Sequence, residues 1–184
     1  MASGVMSPLI PSGQQIHIAH GRDEATVVSV GGGIRSYQVA GQDVLDGYGP
    51  DEMCSSARGQ PLIPWPNRLA EGAYAFRGQN YQLALSEPEF HNAIHGLVRY
   101  SNWSVLEQGR EHVEVNHRLH PQPGYPFLVD LRIVYRLDSG GLSVRTEATN
   151  RGSEPCPIGF GAHPYLRLGT GQIDSLELQS PAAT

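Results

Sequence analysis

Three observations predict an all-β fold, a large antiparallel β-sandwich. The 22 glycines and 14 prolines are spread along the whole chain, so few windows can hold an uninterrupted helix. Apolar residues recur with a period of two. Three consecutive segments between residues 112 and 148 each keep one apolar face, and a sheet of that kind must bury it under a second layer. At 184 residues the chain fits a single domain, 1–184, and is long enough to bury a real core.

In chain order, the first 24 residues read as a partly flexible N-terminus. Residues 25–30 form a strand that ends in Gly31-Gly32-Gly33, and 34–39 form its partner, turned in its own right by Ala40-Gly41-Gln42-Asp43. The glycine triplet is read as a tight hairpin turn, because no phosphate-loop pattern and no following helix accompany it. Residues 47–66, rich in Gly, Pro, Ser and Asp, read as a long loop of the kind that often carries function. A hairpin then pairs 74–76 with 81–85 around Arg77-Gly78. Val113, Val115, His117 and Leu119 share one face of the next strand. Val129, Leu131, Ile133, Tyr135 and Leu137 share a face of the strand after it. Leu142, Val144, Thr146 and Ala148 do so beyond the turn at Asp138-Ser139-Gly140-Gly141.

Composition excludes several classes. A net charge of −5 and a pI near 5.9, with 13 Lys and Arg scattered along the chain, leave no basic patch for nucleic acid or an anionic membrane. Cys54 and Cys156 are too few for a disulfide framework and lie in no zinc spacing; they read as free thiols, with a single bridge as the alternative. The N-terminus lacks a charged start followed by an apolar run. No stretch of about 18 apolar residues occurs either, so the expectation is a soluble, cytoplasmic protein.

The chemistry-bearing residues cluster in two runs, Pro64-Trp65-Pro66-Asn67-Arg68 and Asn92-Ala93-Ile94-His95-Gly96-Leu97-Val98-Arg99, followed by a third at Gly159-Phe160-Gly161-Ala162-His163-Pro164-Tyr165-Leu166. The fixed fork of donors on Arg68 suits neighbouring hydroxyls and developing negative charge, although a surface ion pair is the bland reading. Asn67 is a further hydroxyl partner or, more simply, a backbone cap. His95 precedes a glycine that lets the backbone bend or a ligand come close. His163, taken alone, is more often a hydrogen-bonded structural residue than an acid, though an imidazole can give or take a proton. Trp65 or Trp103 could supply an apolar platform, though a buried tryptophan is usually core. His91 and His95 share an H-x-x-x-H spacing, but the residues between them favour a turn, and no third ligand sits at the usual offset, so no metal is expected. His17, His20, His112, His117 and His120 read as surface or half-buried residues.

Joined by the G-x-Y-x-F-x-G-x-x-Y-x-L pattern at residues 72–83, these runs resemble the aldose 1-epimerase (galactose mutarotase-like) family over roughly residues 25–182. The resemblance implies a galactose mutarotase-like supersandwich and an isomerase that needs no cofactor. Its members interconvert the α and β anomers of a free aldohexose by acid-base opening and closing of the ring. It implies His163 as the general acid on the ring oxygen, and His95 and Arg68 as substrate-orienting residues beside Asn67. The family is usually longer, and its base is a glutamate in the C-terminal portion. Glu147, Glu154, Asp174 and Glu177 match no part of that motif, so the chain reads as an N-terminal portion lacking the base. Two other readings stay open: a catalytically inactive sugar-binding sandwich, and a hexose-6-phosphate epimerase using Arg58, Arg77 and Arg99.

Overall fold

A computed structural model describes residues 10–167, 169, 171–174 and 176–179. In chain order the strands are β1 (Gln15–His20), β2 (Asp23–Val28), β3 (Ile34–Val39), β4 (Gln42–Asp43), β5 (Pro61–Leu62), β6 (Arg68–Ala70), β7 (Ala73–Phe76), β8 (Gln79–Gln82), β9 (Asn92–Ile94), β10 (Ser104–Gln108), β11 (His112–Leu119), β12 (Val129–Asp138), β13 (Gly141–Asn150) and β14 (Gly161–Ala162), with one 3-10 turn at Pro88–Phe90. Two antiparallel four-stranded sheets, β1-β2-β3-β4 and β10-β11-β12-β13, form a sandwich, and three two-stranded ribbons pair β5 with β14, β6 with β9 and β7 with β8.

Alternation builds the sandwich. On β12, Val129, Leu131, Ile133, Tyr135 and Leu137 are each no more than 3% exposed, and on β11 Val113, Val115 and Leu119 join them. They pack with Ile16, Ile18 and Val27 of the facing sheet in one core. Such interlocking faces supply most of the stabilisation, because each fully buried aliphatic side chain contributes about 1.5–3 kcal/mol. The expected strands at 112–119, 129–137 and 142–148 are therefore observed. So is the 74–76 hairpin, except that its second strand ends at Gln82 and leaves 83–85 outside the ladder.

The first sheet differs from its expected outline in two places. β1 precedes the first expected strand and pairs along its whole length with β2, while residues 1–9 of the expected N-terminal segment lie outside the described residues. Gln42 and Asp43 belong to a two-residue strand returning against β3 rather than to the turn itself. The glycine triplet does turn β2 into β3, with Gly31 and Gly32 at positive φ, and it has a second use. A Cβ on Gly32 would lie 2.6 Å from the Trp103 ring, so the bare backbone is what lets the indole, 1% exposed, fill the core. The Tyr135 hydroxyl donates to the Gly32 carbonyl at 2.7 Å and closes the polar end of this contact.

Candidate functional site

Residues 61–68 form a strip with a different partner on each flank. β5 pairs with β14, which leaves His163 as the next residue along, and the Gly159 N–H donates to the Pro64 carbonyl at 2.6 Å. On the other flank, Ile63 bridges Gly96, the Leu97 N–H donates to the Ile63 carbonyl at 2.7 Å, and β6 pairs with β9 so that Arg68 lies opposite Ile94. The strip thus brings two distant histidines together: the rings of His95 and His163 meet edge to face, with centroids 5.2 Å apart.

Left-handed backbone makes this approach possible. Asn67, His95 and Gly96 all have positive φ, at 57°, 62° and 75°. For Gly96 no other residue serves, since a Cβ would sit 1.9 Å from the Ile63 carbonyl oxygen. What comes close at this glycine is the chain itself. Asn67 and His95 hold each other reciprocally: the His95 N–H donates to the Asn67 carbonyl at 2.9 Å, and the Asn67 N–H donates to His95 Nδ1 at 3.1 Å. An accepting Nδ1 carries no proton, so the neutral ring presents Nε2–H as its donor. Burial, and then the positive charges of Arg99, His163 and Arg68, push the His95 pKa below its ordinary value, with Glu87 opposing them. His95 is therefore a neutral hydrogen-bond donor at pH 7.

On its other side the His163 ring stacks on Tyr165 at 5.3 Å, and the Arg58 guanidinium lies over the Tyr165 ring at 4.7 Å. Arg58 is anchored by Asp46 at 2.8 Å. A cavity of about 770 Å³ opens beside His163 and Tyr165, lined also by Asp46, Arg167, Ile173 and Glu177.

Arg68 is exposed and is gripped by Glu87, with Nε and Nη2 donating to the two carboxylate oxygens at 2.6 and 2.7 Å. That grip and the Asn92 amide hold the Glu87 carboxyl below the usual range. The Nε–Nη2 edge of the guanidinium is thus occupied, and the Nη1 hydrogens lie outside this pair.

Of the expected site residues, His163, His95, Asn67 and Arg68 lie along one continuous strip. Trp103 belongs to the core, and Trp65 is partly buried against it. His91 ends the 3-10 turn in a left-handed conformation, 3.5 Å from Glu71, and so engages a different neighbour from His95. Among the described residues no group of three His, Cys, Asp or Glu side chains could hold a metal ion. Arg58, Arg77 and Arg99 do not share one pocket, because Arg77 lines a separate groove with Phe76 and Phe127. Glu147 lies on the outer face of the second sheet, bound by Arg132 and Arg145. Glu87 and the stack of Arg58 on Tyr165 were not predicted. Tyr165 stands inside the third run, but nothing in the sequence links Glu87 to Arg68, 19 residues away.

Against known proteins, a family model described as Aldose 1-epimerase matches residues 14–184, eleven residues earlier than the motifs alone suggested. The Escherichia coli K12 protein YihR is 38% identical over 172 residues, which are 93% of this chain and 56% of the relative. The galactose mutarotase of Bos taurus is 28% identical over 145 residues, 73% of this chain and 40% of that protein. Among solved structures, the GalM/aldose epimerase homologue from C. elegans superposes with a TM-score of 0.74 at 21% identity, over 85% of this chain and 51% of the other. A galactose mutarotase-like protein from Clostridium acetobutylicum also gives 0.74, at 22% identity, over 86% and 52%. The chain spans about half the length of the curated relatives it matches.

Proposed function

Since the chain belongs to the aldose 1-epimerase family, we propose that it carries the acid half of a sugar-ring-opening site and binds a free aldohexose there. The observation that carries this reading is the meeting of His95 and His163 at 5.2 Å beside Arg68. Opening a cyclic hemiacetal requires a proton on the ring oxygen while the anomeric hydroxyl loses one, after which rotation about the bond next to the aldehyde carbon exposes the other face for closure. His163, on the wall of the cavity, gives the proton. His95 donates from Nε2 to a sugar oxygen, and its depressed pKa keeps it neutral so that it does not compete as the acid. Arg68 offers Nη1 to a hydroxyl, and Asn67 stands next to it. This chemistry transfers no electron and no group, so it calls for no cofactor. The reaction suits a cytoplasmic protein, where free hexoses are consumed.

A second reading, sugar binding without turnover, is favoured by one observation. Two of the carboxylates near the histidines are engaged, Glu87 by Arg68, and Asp46 by Arg58 and Arg167. The acceptor for the anomeric proton would then come from elsewhere in a longer chain.

Polarimetry separates the two readings. Freshly dissolved α-D-glucose or α-D-galactose, followed with and without the protein, approaches equilibrium faster if residues 1–184 suffice. If only the binding reading holds, titration calorimetry detects saturable sugar binding while the rotation follows buffer. A folded protein that does neither contradicts both.

A further inference from the structure

The sheet β10-β11-β12-β13 ends in two edges of different character. On β10, five residues long, the register shifts between Val105 and Glu107, and such a bulge spoils an edge as a template for further pairing. β13 runs for ten residues, Gly141–Asn150, in unbroken register against β12, and among the described residues no strand lies on its outer side. We propose that this edge is a self-pairing surface: two copies of the chain join β13 to β13, antiparallel about Thr146, into one eight-stranded sheet.

Backbone parity comes first. The Leu137 N–H donates to the Glu111 carbonyl, on the β11 side, so its neighbours Arg136 and Asp138 turn their polar groups toward β13. Their partners Ser143 and Gly141 answer toward β12, and the Arg151 N–H, at the same parity, reaches the Leu128 carbonyl. The N–H and C=O groups of Leu142, Val144, Thr146, Ala148 and Asn150 consequently point outward. Two identical antiparallel strands can match these groups in a series of registers that differ by one step of the two-fold axis, each with narrow hydrogen-bonded pairs at even positions and closely approaching side chains at odd ones.

Charge then selects one register. With Thr146 opposite itself, Arg145 of each copy faces Glu147 of the other, twice, at the position where side chains across a ladder come nearest. One step in one direction sets Arg145 against Arg145. One step in the other sets Glu147 against Glu147. A second step in that direction puts Arg145 against Arg151. The chosen register also places Val144 against Ala148 on the inner face. Val144 is 52% exposed although Tyr135, its partner on β12, is 3% exposed, so this is where the apolar face lacks a neighbour. Arg145 is 77% exposed at its side chain; Glu147, 34% exposed, keeps Arg132 on Oε2, so its Oε1, now paired with Arg145 of the same chain, is the group exchanged across the axis. About ten backbone hydrogen bonds would form, two for each facing pair of even-numbered residues.

The test is sedimentation equilibrium of the chain from micromolar to sub-millimolar concentration. The unaltered protein is expected to dimerise, at twice 20.0 kDa. Arg145→Glu and Glu147→Arg, each alone, set like charges across the axis and should raise the dissociation constant about tenfold or more. Mixed together, or combined in one chain, they restore opposite charges and should restore the dimer. Thr146→Pro removes an outward N–H without touching the β12 ladder and should give a monomer with an unchanged melting profile. A wild-type protein that stays monomeric, whether because another strand covers the edge or because nothing does, overturns the proposal. So does a dimer that both single charge reversals and Thr146→Pro leave intact.

Discussion

Strand β12 and the strip at 61–68 are both flanked on two sides, yet they are held by different physics. Each inward residue of β12 meets a packed apolar layer, so its position follows from the period of the pleat and tolerates a wrong detail elsewhere. In the strip only Pro61, Leu62, Ile63 and Pro64 are buried; Pro66, Asn67 and Arg68, which lead into the site, are exposed. That exposed part is positioned by single backbone hydrogen bonds and by three left-handed residues, one of which, Gly96, nothing else can replace. The lesson is that in this molecule stability and site geometry are separable: the sandwich can be damaged through volume, the site through backbone conformation.

The largest effect should come from the sandwich. Ile133→Ala removes buried aliphatic volume from a fully enclosed position and should cost about 2–5 kcal/mol, read by denaturant unfolding. A loss well under 1 kcal/mol would mean that the β12 face is not packed as described. Next comes Gly96→Ala, which adds a Cβ against the Ile63 carbonyl at positive φ; about 1–3 kcal/mol is expected, together with loss of sugar binding. If binding survives, the His95 turn does not depend on that close approach.

Much of the first region was legible in the sequence, because alternation at 112–148 is a physical signature of a half-buried sheet and needs no long-range knowledge. β1 is harder to read: Ile16 and Ile18 do alternate with Gln15 and His17, but two apolar positions make too short a run to stand out before β2. Of the site, the runs carrying Arg68, His95 and His163 were readable as motifs. Their meeting was not, since it depends on bridges between residues more than thirty positions apart, such as Ile63 to Gly96 and Leu62 to Gly161. The grip of Glu87 on Arg68 left no local trace at all.

Smaller effects sharpen the contrast. The Arg118 guanidinium, and then that of Arg151, hold the Asp130 carboxyl at about 2. Its folded pKa lies below the unfolded value of 3.8, so the stability it contributes is present above that pH and is lost as pH falls toward 2. Asp130→Asn should flatten this acid limb in a pH series of thermal melts. His95 and His117 are depressed chiefly by burial, so their contribution is present above the ordinary histidine pKa and declines as pH falls below it. Removing either imidazole should shrink the loss of melting temperature between pH 7 and 5. Smallest for stability is Glu87→Gln. Arg68 is half exposed to solvent, which screens the ion pair, so the melt should move little, while sugar affinity should fall because Arg68 is no longer aimed. A shifted melt with unchanged affinity would assign Glu87 to the fold instead.

The most direct measurement follows anomer exchange by NMR saturation transfer in an equilibrated glucose or galactose solution, with the unaltered protein and with His163→Ala, each sample also melted thermally. Enhanced exchange is expected that disappears in the variant, by about 10²–10⁴-fold at the chemical step, with both proteins melting alike. Enhanced exchange that persists undiminished in a fully folded His163→Ala protein would contradict it.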